Sequence, residues 1–143
     1  MGLNRIVRVT DKQEVLDLES LFREYTISLG KEDKNGDLLV SIFTKLNSSG
    51  TLLLVAIKDD EPVGFLWAQP VNQSDRGYLR ISEIYSKQYI VGIDLFDQAI
   101  KWAREGGFST LKGLVSTERA EGMKRLFKAK EEAILISVEV GNG

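Results

Sequence analysis

Apolar and polar positions alternate in two different rhythms along this chain, and the changes of rhythm mark its elements. Residues 4–9 (NRIVRV) alternate one by one, as a short half-buried strand does. Thr10 follows with Gln13 three residues on, the capping-box pattern. Val15, Leu18, Leu21, Phe22, Tyr25 and Leu29 then predict one helical face, stopped by Gly30. Residues 31–36 (KEDKNG) read as a charged turn. Asp37 can cap a second helix that turns Leu38, Leu39, Ile42, Phe43 and Leu46 to the core and ends at 47–50. Residues 51–57 (TLLLVAI) are continuously apolar at strand length, which predicts burial on both faces. A short turn at 58–62 separates them from 63–68 (VGFLWA), so the pair predicts an antiparallel hairpin. Residues 69–77, with Pro70, Asn72, Ser74, Asp75 and Gly77, read as a polar loop.

The next stretch organises the rest. Residues 78–86 predict a strand with Leu79, Ile81 and Ile84 apolar and Glu83 among the β-formers. Residues 87–91 are a short connection. Residues 92–105 predict a helix with Leu95, Phe96, Ala99, Ile100, Trp102 and Ala103 on one stripe, ended by Gly106 and Gly107. A strand that feeds directly into a helix leaves backbone N–H groups unpaired at the junction, and those attract phosphate. A strand at 110–115, a helix at 117–130 (Ala120, Met123, Leu126, Phe127 and Lys130 inward) and a strand at 133–140 complete the chain. The order β-α-α-β-β-β-α-β-α-β belongs to an α/β class with a mixed, α+β type sheet. Residues 78–115 should form a right-handed parallel crossover.

Composition narrows the chemistry. At 143 residues and 43% hydrophobic, the expectation is one domain over residues 1–143 with a substantial core. Nineteen basic against 21 acidic residues leave a net charge of -2, which gives nucleic acid no electrostatic foothold. No apolar run approaches the roughly 20 residues that span a bilayer, and the first residues do not read as a signal peptide. The expectation is a soluble, cytoplasmic protein with no membrane partner. With neither Cys nor His, disulfides, thiolate catalysis, a Ser-His-Asp triad and an imidazole metal cluster are excluded. Acid–base work would fall to carboxylates, Tyr, Lys or water.

The element order, the hairpin DDEPVGFLWA and the IYS strand end followed by LFDQAIKWAREGG resemble the GNAT-type N-acetyltransferases over nearly the whole chain, Arg5 to Val140. The resemblance implies a GNAT-like acyl-CoA N-acyltransferase fold in which acetyl-CoA, as co-substrate, lies between two parallel strands that splay at a bulge. Its pantetheine would pair with the end of the fourth strand, Ile84, Tyr85 and Ser86. Its pyrophosphate would sit on the loop of pattern Arg/Gln-x-x-Gly-x-Gly/Ala, which falls on Lys87, Gln88, Tyr89, Ile90, Val91 and Gly92. Gly92 fits the last position and Lys87 keeps the charge of the first. Ile90 replaces the central Gly, where a side chain narrows the backbone approach. The resemblance further implies that Glu83, in Ser82-Glu83-Ile84-Tyr85, is the general base and that a free amine attacks the thioester directly. The usual proton donor to the leaving thiolate, a Tyr of the last helix, falls on Phe127, so Tyr85 or Tyr89 would have to substitute. The usual closing Gly-Phe falls on Glu131 and Glu132, and the family's final strand has no counterpart.

Each residue also has a plainer reading. Glu83 can be an ordinary strand carboxylate, residues 87–92 a turn that binds nothing, and Trp67, Phe96 and Trp102 core residues. Lys124, Arg125, Lys128 and Lys130 suit a solvated helix face. So do Glu14, Asp17, Glu19 and Glu24, although in this family that region borders the acceptor groove, which would suit a cationic substrate. Two functions remain open at this point: an N-acetyltransferase acting on a small-molecule or peptide amine, or a non-catalytic GNAT-like binding or assembly module with a decayed cofactor site. An unpaired sheet edge at residues 133–140 would also be a template for a homodimer.

Overall fold

The computed structural model describes residues 5–30, 36–73, 76–113 and Arg125. The chain divides into two compact units, Met1–Lys112 and Gly113–Gly143. The described elements run β1 (Arg5–Arg8), α1 (Lys12–Leu16), α2 (Glu19–Ser28), α3 (Asp37–Lys45), β2 (Leu52–Lys58), β3 (Glu61–Gln73), β4 (Arg76–Ser86), α4 (Tyr89–Glu105) and β5 (Leu111–Gly113). Their strands form one sheet in the order β1-β2-β3-β4-β5, with β1/β2, β2/β3 and β3/β4 antiparallel. β5 joins β4 where the Leu79 N–H donates to the Thr110 carbonyl at 3.1 Å. No described helix is long and apolar enough to cross a membrane. The helix expected at 117–130, including Phe127, the pair Glu131 and Glu132, and the strand expected at 133–140 lie outside the described residues, apart from helical Arg125.

The apolar run of β2 is buried on both faces, as its sequence requires. Leu53 and Val55, with Phe65 and Trp67 of β3, face α1–α3 and pack with Val15, Leu18, Leu21, Phe22, Tyr25 and Ile42. Leu52, Leu54 and Ala56, with Leu66 and Ala68 of β3, face α4 and pack with Val91, Leu95, Ala99 and Ala103. The strand period of two therefore sorts one run of residues into two separate cores. The stripe on α4 repeats every four residues, and its small members Ala99 and Ala103 let the helix lie close to the sheet.

Several boundaries differ from the sequence reading; at α3 the N-cap is Gly36 (φ 64°), and Asp37 is the first helical residue instead of the cap. The first helical stretch is two helices: Asp11 rather than Thr10 is the cap, its carboxylate accepting the Gln13 N–H at 2.9 Å. The chain then unwinds at Asp17–Leu18 before α2, a break that leaves Val15, Leu18, Leu21 and Phe22 all buried. Leu29 is half exposed because α2 ends at Ser28. The residues read as a polar loop at 69–77 instead extend the β3/β4 hairpin through Gln73 and Arg76. Pro70 pairs opposite Leu79 within it, so one missing N–H did not end the strand while its neighbours kept their ladder. Finally, α4 begins at Tyr89 rather than Gly92, because Val91 is fully buried and draws the preceding turn into the helix.

The β2/β3 turn is Asp59-Asp60, both with positive φ (52° and 64°), the conformation of a type I′ hairpin turn. Gly64 lies where three elements converge. A Cβ there would come within 2.8 Å of the Tyr85 carbonyl oxygen, 3.0 Å of Val91 Cγ1 and 3.2 Å of Leu95 Cδ1. The first of these is backbone and cannot rotate away. Gly64→Ala should therefore cost about 1–3 kcal/mol through overpacking. Urea unfolding measures this, and a loss below about 0.5 kcal/mol would show that α4 has room to move.

Candidate active site at the end of strand β4

The decisive local feature of β4 is a bulge. Trp67 pairs with Glu83, but the next residue of β3, Ala68, pairs with Ile81, so Ser82 is an extra residue on β4. Before it, Leu79 and Ile81 face α4; after it, Ile84 packs on the α4 side and Tyr85 on the α2 side. Strict alternation would have turned Glu83 into the same core as Leu79 and Ile81. The extra residue turns it towards α2 instead. Gln69 Nε2 donates to Ser82 Oγ at 2.9 Å and ties the bulge to β3.

On the α2 side, Glu83 meets Tyr25. The Tyr25 hydroxyl donates to Glu83 Oε2. Tyr25 is only 8% exposed. Its ring meets Phe65 edge-on at 5.3 Å and Tyr85 in a tilted contact at 5.7 Å. The Tyr25 hydroxyl titrates well above its ordinary range, first because burial disfavours the phenolate and then because Glu83 accepts its proton and repels a second negative charge. One side chain thus touches both sequence-predicted catalytic residues, Glu83 and Tyr85. Sequence reading placed Tyr25 on an apolar helix face and missed this; the signal was a hydroxyl on that face, which needs a partner once buried.

The chain leaves β4 at Ser86 and enters α4 after Lys87 and Gln88. The Lys87 N–H is held by the Val63 carbonyl at 3.0 Å. Gln88 is the helix N-cap in extended conformation and caps with no side-chain hydrogen bond. The Val91 and Gly92 N–H groups both turn back to the Gln88 carbonyl. Those of Tyr89 and Ile90, in the first turn, have no partner among the described residues. Tyr89 and Ile90 are more than half exposed, so the Ile90 side chain is not drawn into the interior of the junction, whereas Val91 belongs to the core. Gly92 lies against the strand end, where a Cβ would stand 2.9 Å from Ser86 Oγ. The Lys87 ammonium pairs with Glu24 Oε2 of α2 at 3.4 Å; both side chains are substantially exposed, so the pair is weak and screened by salt.

The predicted site residues therefore occupy two neighbouring places. Glu83 and Tyr85, with Tyr25, form a cluster of one carboxylate and two phenols on the α2 side of β4. Ser86 to Ile90 form an amide-rich, cation-bearing junction at its end, with Ile84 on the α4 side between them. Glu83 and Lys87 are about 13 Å apart along an extended strand, so only a long ligand could use both places. A groove of about 290 Å³ lined by Ile100, Arg104, Phe108 and Thr110 lies at the other end of α4 and shares none of these residues. No group of three or more potential metal ligands comes together among the described residues.

No protein-family model matches the sequence, and no curated protein matches it. Solved structures do share its fold. A probable acetyltransferase superposes with a TM-score of 0.77 over 97% of this chain and 99% of its own, at 19% identity. A predicted acetyltransferase with acetyl-CoA from Clostridium acetobutylicum has a TM-score of 0.74 over 97% and 96%, at 13% identity. An aminoglycoside acetyltransferase from an uncultured soil metagenomic sample, in complex with sisomicin, has a TM-score of 0.71 over 96% and 97%, at 14% identity.

The bulge gives a prediction of its own. Gln69→Ala and Ser82→Ala should each lower stability by about 1 kcal/mol, and the double variant by little more than either, because the two share one hydrogen bond. Additive losses in chemical unfolding would show that the bulge does not depend on this bond.

Proposed function

The chain has the fold of the GNAT N-acetyltransferases, and on that premise we propose that it is an acetyl-CoA-dependent N-acetyltransferase acting directly on an amine. The observation that carries the reading is the uncapped start of α4 immediately after the strand that bears Glu83, on a fold for which an acetyl-CoA-containing relative is known. Unpaired N–H groups at a helix start, a nearby ammonium and a glycine packed on the strand end are a donor set that suits a diphosphate.

Acetyl-CoA would supply the acetyl group as an activated thioester. The N–H groups of Tyr89 and Ile90 and the Lys87 ammonium would hold its diphosphate, with Gln88, Val91 and Gly92 shaping the turn. Ile84, Tyr85 and Ser86 would align its pantetheine along the strand end. Glu83 receives the proton that the acceptor ammonium must lose before its nitrogen can attack, directly or through one water. Tyr85, two residues on and on the same side of the strand, is the candidate donor of a proton to the departing sulfur. Residues 1–143 are read as a single domain. The acceptor is a small-molecule or peptide amine; the sisomicin complex of a structural relative makes a polyamine the first class to try. CoA thioesters are intracellular metabolites, which supports a cytoplasmic location.

Isothermal titration with acetyl-CoA should show one molecule bound per chain, and absence of heat at millimolar ligand removes the reading. Glu83→Gln should leave that affinity nearly unchanged and lower turnover by about 10²–10⁴-fold; wild-type turnover would mean that another group takes the proton. Glu24→Gln, which frees Lys87, should tighten acetyl-CoA binding several-fold at low salt, with the gain fading as ionic strength rises. An unchanged affinity at low salt would place Lys87 outside the diphosphate site.

A further inference from the structure

Glu83 has two carboxylate oxygens, and the described residues engage one of them. Oε2 accepts the Tyr25 hydroxyl, while Oε1 has no partner among the described residues. Tyr25 is itself fixed from several sides: its ring is held against Phe65 and Tyr85, its neighbour Phe22 also packs on Phe65 at 4.9 Å, and its carbonyl accepts Ser28 Oγ at 2.6 Å. It is thus a buried donor, held on several sides, aimed at a half-buried carboxylate.

We propose that Tyr25 is the positioning residue of this site: its hydroxyl pins Oε2 of Glu83, so that Oε1 is the oxygen presented to the acceptor ammonium, while its ring sets the position of Tyr85. This rests on the acetyltransferase reading for its catalytic sense but not for its geometry. A glutamate loses freedom about three torsions when it is held, and a prepaid constraint of this kind leaves less to be lost on reaching the transition state. The titratable groups facing Tyr25 are Glu83 and Tyr85 on β4; Glu24, on its own helix, is engaged with Lys87. The hydroxyl keeps its proton because burial and the neighbouring carboxylate both oppose its loss. It therefore stays a donor at any pH where an amine is acetylated, and Glu83 remains the group that exchanges protons with the acceptor.

Tyr25→Phe separates the hydroxyl from the ring, and two arms test the proposal. In the first, release of CoA thiol from acetyl-CoA is followed with sisomicin, spermine and a lysine-containing peptide as acceptors; the protein has no cysteine to contribute background. Tyr25→Phe should lower kcat about 10- to 100-fold with KM for acetyl-CoA unchanged, and should cause no further loss in the Glu83→Gln background. An equal loss in both backgrounds, or none in either, overturns the proposal. The second arm needs no acceptor. In ultraviolet resonance Raman spectra at neutral pH, the tyrosine doublet isolated by subtracting Tyr25→Phe from wild type should report a strong hydrogen-bond donor, and Glu83→Gln should weaken that signature. A signature unaffected by Glu83→Gln overturns the pairing whether or not the protein is an enzyme. Absence of acetyl-CoA binding with an intact Raman signature sinks the proposed function, and the catalytic role of Tyr25 with it, while the pairing stands.

Discussion

Two apolar faces of one sheet place opposite demands on β4, and one extra residue reconciles them. Up to Ile81 the strand must give its odd-numbered side chains to the α4 core. Beyond Ser82 it must offer a carboxylate and a phenol to the α2 side. A regular strand cannot do both with residues of the same parity, because its side chains alternate without exception. With no bulge, Glu83 would stand in the row of Leu79 and Ile81, among side chains that offer it no hydrogen bond, and burying a carboxylate there would cost several kcal/mol. The insertion at Ser82 removes that conflict, and the polar cluster of Tyr25, Glu83 and Tyr85 follows from it.

The cluster is stable where it is because the α2-side core is aromatic. Phe22, Tyr25 and Phe65 meet edge to face, an arrangement that fixes ring orientation as well as area. Tyr25 contributes an apolar body to that core and a hydroxyl at its margin. The core therefore supplies the site with a donor of defined direction without burying an unpaired polar atom. Both strand residues that the cluster uses come from the same side of β4, and both are reached by this one ring.

Much of this was legible in the sequence. The continuous run at 51–57 announced a strand buried on both faces, and the structure divides it residue by residue between two cores. The α4 stripe, the β2/β3 hairpin and the strand-to-helix junction were visible in the same way. The bulge was written in the spacing of Leu79, Ile81 and Ile84, two apart and then three, but a sequence rule built on strict alternation has no place for it. Tyr25 was invisible for a different reason: its partner lies 58 positions away, and no local pattern relates a helix face to a distant strand. The polar residues at 69–77 misled because composition speaks for solvent exposure, not against strand. A hairpin arm can have the same composition as a loop.

The junction at Lys87 shows how the earlier start of α4 alters the chemistry that the sequence suggested. A six-residue loop would wrap an anion with backbone from several directions. A helix that begins at Tyr89 instead presents its free N–H groups in one direction, along its axis, and concentrates partial positive charge at a single point. Lys87 stands beside that point but leans towards Glu24 across the gap to α2. An arriving anion must therefore draw the ammonium away from a carboxylate that repels the anion in turn. Because both charges are exposed, that competition is worth little at physiological salt. On the proposed reading, the helix start, whose Tyr89 and Ile90 N–H groups have no partner among the described residues, would be the stronger determinant of anion binding, and Lys87 would adjust it.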